Sequence, residues 1–214
     1  SAVFRRANLT RADFRDADLE VKGSSQYATN FDGAKLEGAT FELVKARSIF
    51  LRGANLKSVI INNSDFGSAD FSGADFSGSI FSQVSFDGAT LERTTLSCIV
   101  CLSKVTFFRA NINNSVCEFA DLKNTELSYA ELSSSDLGNA NLSNSNLRGA
   151  TLRGAYLRQT NLTQADLRDA SIQGAYLTKS KLEKANLRGA NLIRAQLRAS
   201  NLNSADLSKT ILRK

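Results

Sequence analysis

From Leu132 to Leu212 a large apolar residue occupies every fifth position without a break, running Leu132, Leu137, Leu142, Leu147 and onward through Ile172 to Leu207 and Leu212. Two places before most of these centres stands a small residue, such as Ala140, Ser145, Ala150, Ala155, Ala165 or Ala170. The residue between is mostly Asn or Asp, as in Ala140-Asn141-Leu142 and Ala165-Asp166-Leu167. A helix repeats at 3.6 residues and a strand at 2, so a five-residue period would smear apolar positions around either one. It buries its Leu and its small residue together only if the chain turns a corner at every unit. Four units then close a square coil, and successive coils stack at the strand spacing of about 4.8 Å. Fixed-period self-similarity of this kind marks a solenoid, with one long thin core in place of a globular one.

These A-(N/D)-L-x-x units resemble the pentapeptide-repeat family, and the resemblance covers nearly the whole chain. It implies an all-β fold, a right-handed quadrilateral β-helix, here of about ten coils if the roughly 41 centres are grouped in fours. Some members of that family resemble duplex DNA in shape and charge and bind type II topoisomerases such as gyrase. Those mimics are acidic, whereas this chain of 214 residues carries a net charge of +6. The resemblance therefore keeps a gyrase interactor as an alternative only, resting on the segment around Asp65, Asp70, Asp75 and Asp87.

In chain order the pattern predicts a single solenoid over residues 1–214. The first coil, 1–21, centres on Phe4, Leu9, Phe14 and Leu19. The next centre is Phe31, and the step from Leu19 is not a multiple of five, so 22–28 is expected to project as a loop. Loops held by a rigid scaffold often carry function, which makes Lys22, Gln26 and Tyr27 candidate partner-binding residues. Residues 29–101 form Phe-rich coils in which Phe66 should stack on Phe86 one coil away. Two undersized centres there, Ala46 and Cys101, have the larger Val44 and Ile99 two places before them, as a core of fixed packing density requires. Between Cys101 and Phe107 the step is six, so 102–106 should hold a one-residue bulge, and 107–214 are regular coils.

With inward positions committed to packing, function belongs to the outward ones. Ser58 to Thr90 contains Asp65, Asp70, Asp75 and Asp87 and no base, while Arg148 to Lys214 is strongly basic. Twenty-residue spacing places Arg148, Arg168 and Arg188 above one another on one face, and Arg158 and Arg198 two coils apart on another. These are the candidate partner-binding residues of the basic coils, for nucleic acid or another anionic surface. No aromatic residue is expected to be interleaved with these basic residues for bases to stack on, and Asp166 and Asp169 flank Arg168.

The outward Asn and Asp residues suit turns, where their side chains bond nearby backbone, and the repeat explains them all at once. With no histidine in the chain, no Ser–His or Cys–His pair can form. No catalytic residue, metal site or cofactor is expected, and the protein reads as non-enzymatic. The three cysteines lack metal-ligand spacing, and Cys101 and Cys117 are expected to be buried free thiols. No apolar run approaches the roughly 18 residues of a membrane span, and nothing in the chain assigns a compartment. Neither end reads as a cap, which suggests a piece of a longer protein or an end-to-end dimer. The reading that unites these features is an interaction scaffold offering flat faces, and the 22–28 loop, to a protein partner.

Overall fold

The computed structural model describes residues 2–20 and 28–212. Among them there is no helix; the chain is a succession of turns joined by short parallel pairings between coils. One unit shows why. In Leu147-Arg148-Gly149-Ala150 the Ala150 N–H donates to the Leu147 carbonyl at 3.0 Å, with φ +66° at Gly149. That is a type II turn, which needs the left-handed region at its third residue. The residue ahead of the centre locks the corner: Asn146 Oδ1 accepts the Arg148 N–H at 3.1 Å, as Asp75 Oδ1 accepts the Ser77 N–H at 2.9 Å. This bond is why Asn and Asp recur before the centres.

Each unit also ties to its neighbours along the stack. The Leu147 N–H donates to the Asp166 carbonyl at 2.7 Å, and the Asp166 N–H returns to the Ser145 carbonyl at 3.0 Å. The centres pile up beneath these ladders. Phe66 stacks on Phe86 with ring centroids 6.0 Å apart, and Phe86 on Phe107 at 5.1 Å. Nearer the N-terminus Phe4 stacks on Phe31 at 4.8 Å, and Phe14 on Phe41 at 4.9 Å. Ala46 and Cys101 are buried, as are the larger Val44 and Ile99 beside them.

The pairing register changes twice. Val3 pairs with Asn30 and Asp18 with Lys45, seven residues more than the twenty that separate Asn30 from its partner Phe50. The surplus falls between Leu19 and Phe31, and the Thr29 hydroxyl bridges it by donating to the Leu19 carbonyl at 2.8 Å. The expected 22–28 loop, with its candidates Lys22, Gln26 and Tyr27, lies outside the described residues except for Ala28. At the second change Phe81 pairs with Cys101 but Ser82 with Ser103, so Leu102 is the extra residue, and it is exposed. From Ser85 with Thr106 to Val100 with Asp121 the partners are one residue further apart than a coil, and from Thr106 with Glu126 the step returns to twenty.

One corner differs from the rest. Four parallel strands, β1 (Thr40–Glu42), β2 (Ile60–Asp65), β3 (Ile80–Ser85) and β4 (Val100–Ser103), stack there in sequence order. The small position of the unit holds Val44, Ser64, Val84 and Val105 in successive coils, none of them the usual Ala. The Val44 N–H donates to Ser64 Oγ at 3.0 Å, in place of the turn bond to its own centre. The strands β2 and β3 run on through the corner, and a shallow groove of ≈ 570 Å³ opens along it beside Leu43, Asn63, Gln83 and Lys104.

Candidate functional site

The structure brings Arg148, Arg168 and Arg188 together. They line one cleft of ≈ 350 Å³ along the stack, with Asp169, Gly189 and Lys209. Gly189 keeps it open, since a Cβ there would come within 2.5 Å of Asp169 Oδ1. Part of the stripe is engaged by its own carboxylates. The Arg168 guanidinium grips Asp166 through Nη2 at 2.5 Å and Nε at 2.9 Å, and Arg148 Nε lies 3.8 Å from Asp169. Partial burial alone would raise the Asp166 pKa, but hydrogen bonds from the Arg168 side chain and backbone outweigh it and hold the carboxyl below its usual value. The Asp206 carboxyl is lowered too, chiefly by hydrogen bonds from Ser208, with Arg188 contributing. Two of the three arginines are thus engaged by carboxylates, while Arg188 and Lys209 form no ion pair among the described residues.

Arg158 and Arg198 lie elsewhere and are not neutralised in this way. Three coils place the segments Tyr156-Leu157-Arg158-Gln159, Tyr176-Leu177-Thr178-Lys179 and Gln196-Leu197-Arg198-Ala199 in register, through the pairings of Tyr156 with Tyr176 and Tyr176 with Gln196. The two tyrosine rings stack with centroids 5.1 Å apart and planes within 4°. Arg158 also lines a cleft of ≈ 300 Å³ with Glu118, Asp136, Asn139, Tyr156 and Gln159, but Arg198, two coils on, does not. Among the described residues the side chains of Arg158, Lys179 and Arg198 make no hydrogen bond or ion pair, and all three are exposed. Tyr156 and Tyr176 overturn the expectation that no aromatic residue is interleaved with the basic ones. Their twenty-residue spacing was the signal available.

The acidic stretch is also less bare than its sequence. Arg47 meets Asp65 at 3.0 Å, Lys57 meets Asp75 at 3.3 Å, and Arg52 approaches Asp70 at 3.9 Å while gripping Asp32 at 2.6 Å. Each cation comes from the preceding coil. The remaining carboxylate capacity serves turns: Asp70 Oδ1 accepts both the N–H and the hydroxyl of Ser72, at 3.0 and 2.6 Å.

Among the described residues no cluster of His, Cys, Asp and Glu has the form of a metal site, and every buried side-chain nitrogen and oxygen has a hydrogen-bond partner. Cys101 and Cys117 are buried free thiols; Cys98 is free and exposed. Burial pushes the Cys117 thiol up to about 12, with the Asp136 carboxylate adding to it, and also raises Cys101, which removes both as nucleophiles near neutral pH. No helix among the described residues is long and apolar enough to cross a membrane.

A family model described as pentapeptide repeats matches eight copies in the chain, over residues 1–20, 27–73, 50–88, 61–97, 101–139, 145–183 and 175–213. Among solved structures, the chain is similar to HetL, a pentapeptide repeat protein involved in heterocyst differentiation regulation from the cyanobacterium Nostoc sp. strain PCC 7120. Identity is 28%, the match covers 99% of this chain and 89% of HetL, and the TM-score is 0.59. A pentapeptide repeat protein of the Arabidopsis thaliana thylakoid lumen is 33% identical over 44% of this chain and 69% of its own, with a TM-score of 0.35. QnrB1, a plasmid-mediated fluoroquinolone resistance protein, is 20% identical over 82% of this chain and 92% of its own, with a TM-score of 0.42. No protein of curated function matches the chain.

Proposed function

The chain belongs to the pentapeptide-repeat family, and we propose that it is a non-enzymatic scaffold which presents flat solenoid faces to a protein partner. One observation carries this reading. Inward side chains are spent on packing and the Asn and Asp rows on turn hydrogen bonds, so the outward chemistry left over is suited to recognition. A regular stack of parallel pairings holds those outward groups in fixed positions, which lowers the entropy cost of binding. The single-solenoid organisation and a contribution from the 22–28 segment belong to the same proposal.

DNA mimicry is the weaker reading. The net charge is +6, and three of the four carboxylates that suggested it, those of Asp65, Asp70 and Asp75, lie within ion-pair distance of cations from the coil before. Such a surface offers no bare row of negative charge in place of phosphates.

The test is an affinity capture from extract with the intact protein, with Arg148→Glu/Arg168→Glu/Arg188→Glu and a deletion of Lys22 to Tyr27 in parallel. Specific capture of a protein by the intact chain supports the scaffold, and loss in one variant assigns the face. An empty capture by the intact chain overturns it.

A further inference from the structure

We infer that the three segments Tyr156–Gln159, Tyr176–Lys179 and Gln196–Ala199 form the docking surface, and that its occupant is a protein with an acidic contact surface. This deepens the scaffold reading above and rests on it. Three charged side chains stand on this patch, Arg158, Lys179 and Arg198, all cationic. Among the described residues none of them has an ion pair, and neither do the Tyr156 and Tyr176 hydroxyls have a hydrogen-bond partner. Arginine, lysine and tyrosine hydroxyls can all donate. A surface this rich in unpaired donors is complemented by acceptors, and carboxylates accept from arginine in bidentate fashion.

The contrast with the neighbouring stripe makes the inference specific. Arg148, Arg168 and Arg188 outnumber the arginines here, yet two of them already lie against Asp166 and Asp169. A partner carboxylate would have to displace those contacts. On the tyrosine face Arg158 shares its cleft with the Glu118 and Asp136 carboxylates but forms no ion pair with them, so no such contact has to be displaced. Tyr and Arg are also the residues enriched in the energetic centres of protein interfaces. Here the two rings are held against each other at 5.1 Å, so docking would freeze little further side-chain motion.

Nucleic acid fits the same patch less well. Single strands bind through bases stacked on open aromatic faces, and each tyrosine gives one face to the other ring. Duplex binding of useful strength neutralises roughly 6–10 phosphates, twice or more what three cations supply. A second copy of this chain is disfavoured by its own net charge of +6.

The experiment places the photo-crosslinker p-benzoylphenylalanine at Thr178, at the middle of the patch, and separately at Gln173, away from it. Each protein is irradiated in extract and the crosslinked peptides are sequenced. The Thr178 probe is expected to capture a protein through an Asp- and Glu-rich segment. Arg158→Glu/Arg198→Glu should reduce that capture by roughly tenfold or more. Tyr156→Ala/Tyr176→Ala should weaken it severalfold, and Arg109→Glu/Lys123→Glu, exposed cations of earlier coils, should leave it unchanged. Circular dichroism of each variant checks that the fold is kept. Capture that survives reversal of Arg158 and Arg198, peptides without carboxylates, a crosslink to this chain itself, or a nuclease-sensitive adduct would each overturn the inference. Protein capture from Gln173 alone would overturn the inference and leave the scaffold standing; no protein from either probe would count against both.

Discussion

At Gly149 the backbone sits at φ +66° and an added Cβ would come within 2.7 Å of the Tyr129 ring; at Gly53 φ is +61° and a Cβ would meet nothing. Both positions are the left-handed residue of a turn that elsewhere accepts Ser, Asn, Asp or Lys. Gly53→Ala should therefore cost only the left-handed penalty, about 1 kcal/mol. Gly149→Ala must in addition move an aromatic ring and should cost measurably more. Equal losses in denaturant melts would mean that Tyr129 swings away freely. The buried thiols make a second prediction, with a definite sign. An unfolded thiol titrates near 8.5, and Cys117 in the fold near about 12. Between those values the unfolded chain has lost a proton that the folded chain keeps, so stability falls as pH rises. The thiol's contribution is fully present below the unfolded value and should shrink by about 2 kcal/mol by pH 10. Urea melts at pH 7.5 and 10 check this. Cys117→Ala should lose less between the two than the native protein does, and an identical loss would remove the thiol as the cause.

At the scale of the element, the bulge in β4 can be removed. Phe81 and Ser82 pair with Cys101 and Ser103, so deleting Leu102 would bring β4 into the twenty-residue register shared by β1, β2 and β3. Leu102 is 64% exposed and packs little, so the deletion should preserve the fold and leave the melting temperature unchanged or higher. A collapse of the melt would show that the later coils depend on the shifted phase. The position of this bulge was legible from the six-residue step after Cys101, and the stacking of Phe66 on Phe86 from the twenty-residue spacing. What stayed hidden follows from the same habit of counting in twenties along the centres only. The ion pairs of Arg47 with Asp65 and Lys57 with Asp75 join residues eighteen apart, from the place after one centre to the place before the next one up. The open corner carries Val44, Ser64, Val84 and Val105 at the small position, a recurring departure from Ala that the pattern of centres does not register. Asp166 and Asp169 beside Arg168 were legible in the sequence, but Tyr156 and Tyr176 lie one place before their centres, off the column of arginines, and their stacking shows only in the geometry.

Across the whole molecule, coupling should pass from coil to coil and no further. The backbone pairings join residues one coil apart, so stability is the sum of local terms and nearest-neighbour interfaces. Phe86 is the place to test this, because its ring meets those of Phe66, Phe71, Phe76, Phe81 and Phe107, at 5.1 to 6.2 Å. Truncating it to Ala should cost about 3–5 kcal/mol, the usual range for a buried aromatic. In a globular core that loss would be shared by every amide through one cooperative transition. In this stack it should weaken hydrogen-exchange protection mainly from about residue 60 to 130 and leave the coils from Leu147 to Leu192 close to native. Leu167→Ala should do the reverse. Exchange mass spectrometry on the two variants reads both patterns at once. A uniform loss of protection from either substitution would mean that the coils melt as one unit and that the nearest-neighbour account fails. The confined pattern would mean that a partner held on the tyrosine face stabilises the basic coils without reaching the Phe-rich ones, so the two regions can be altered independently.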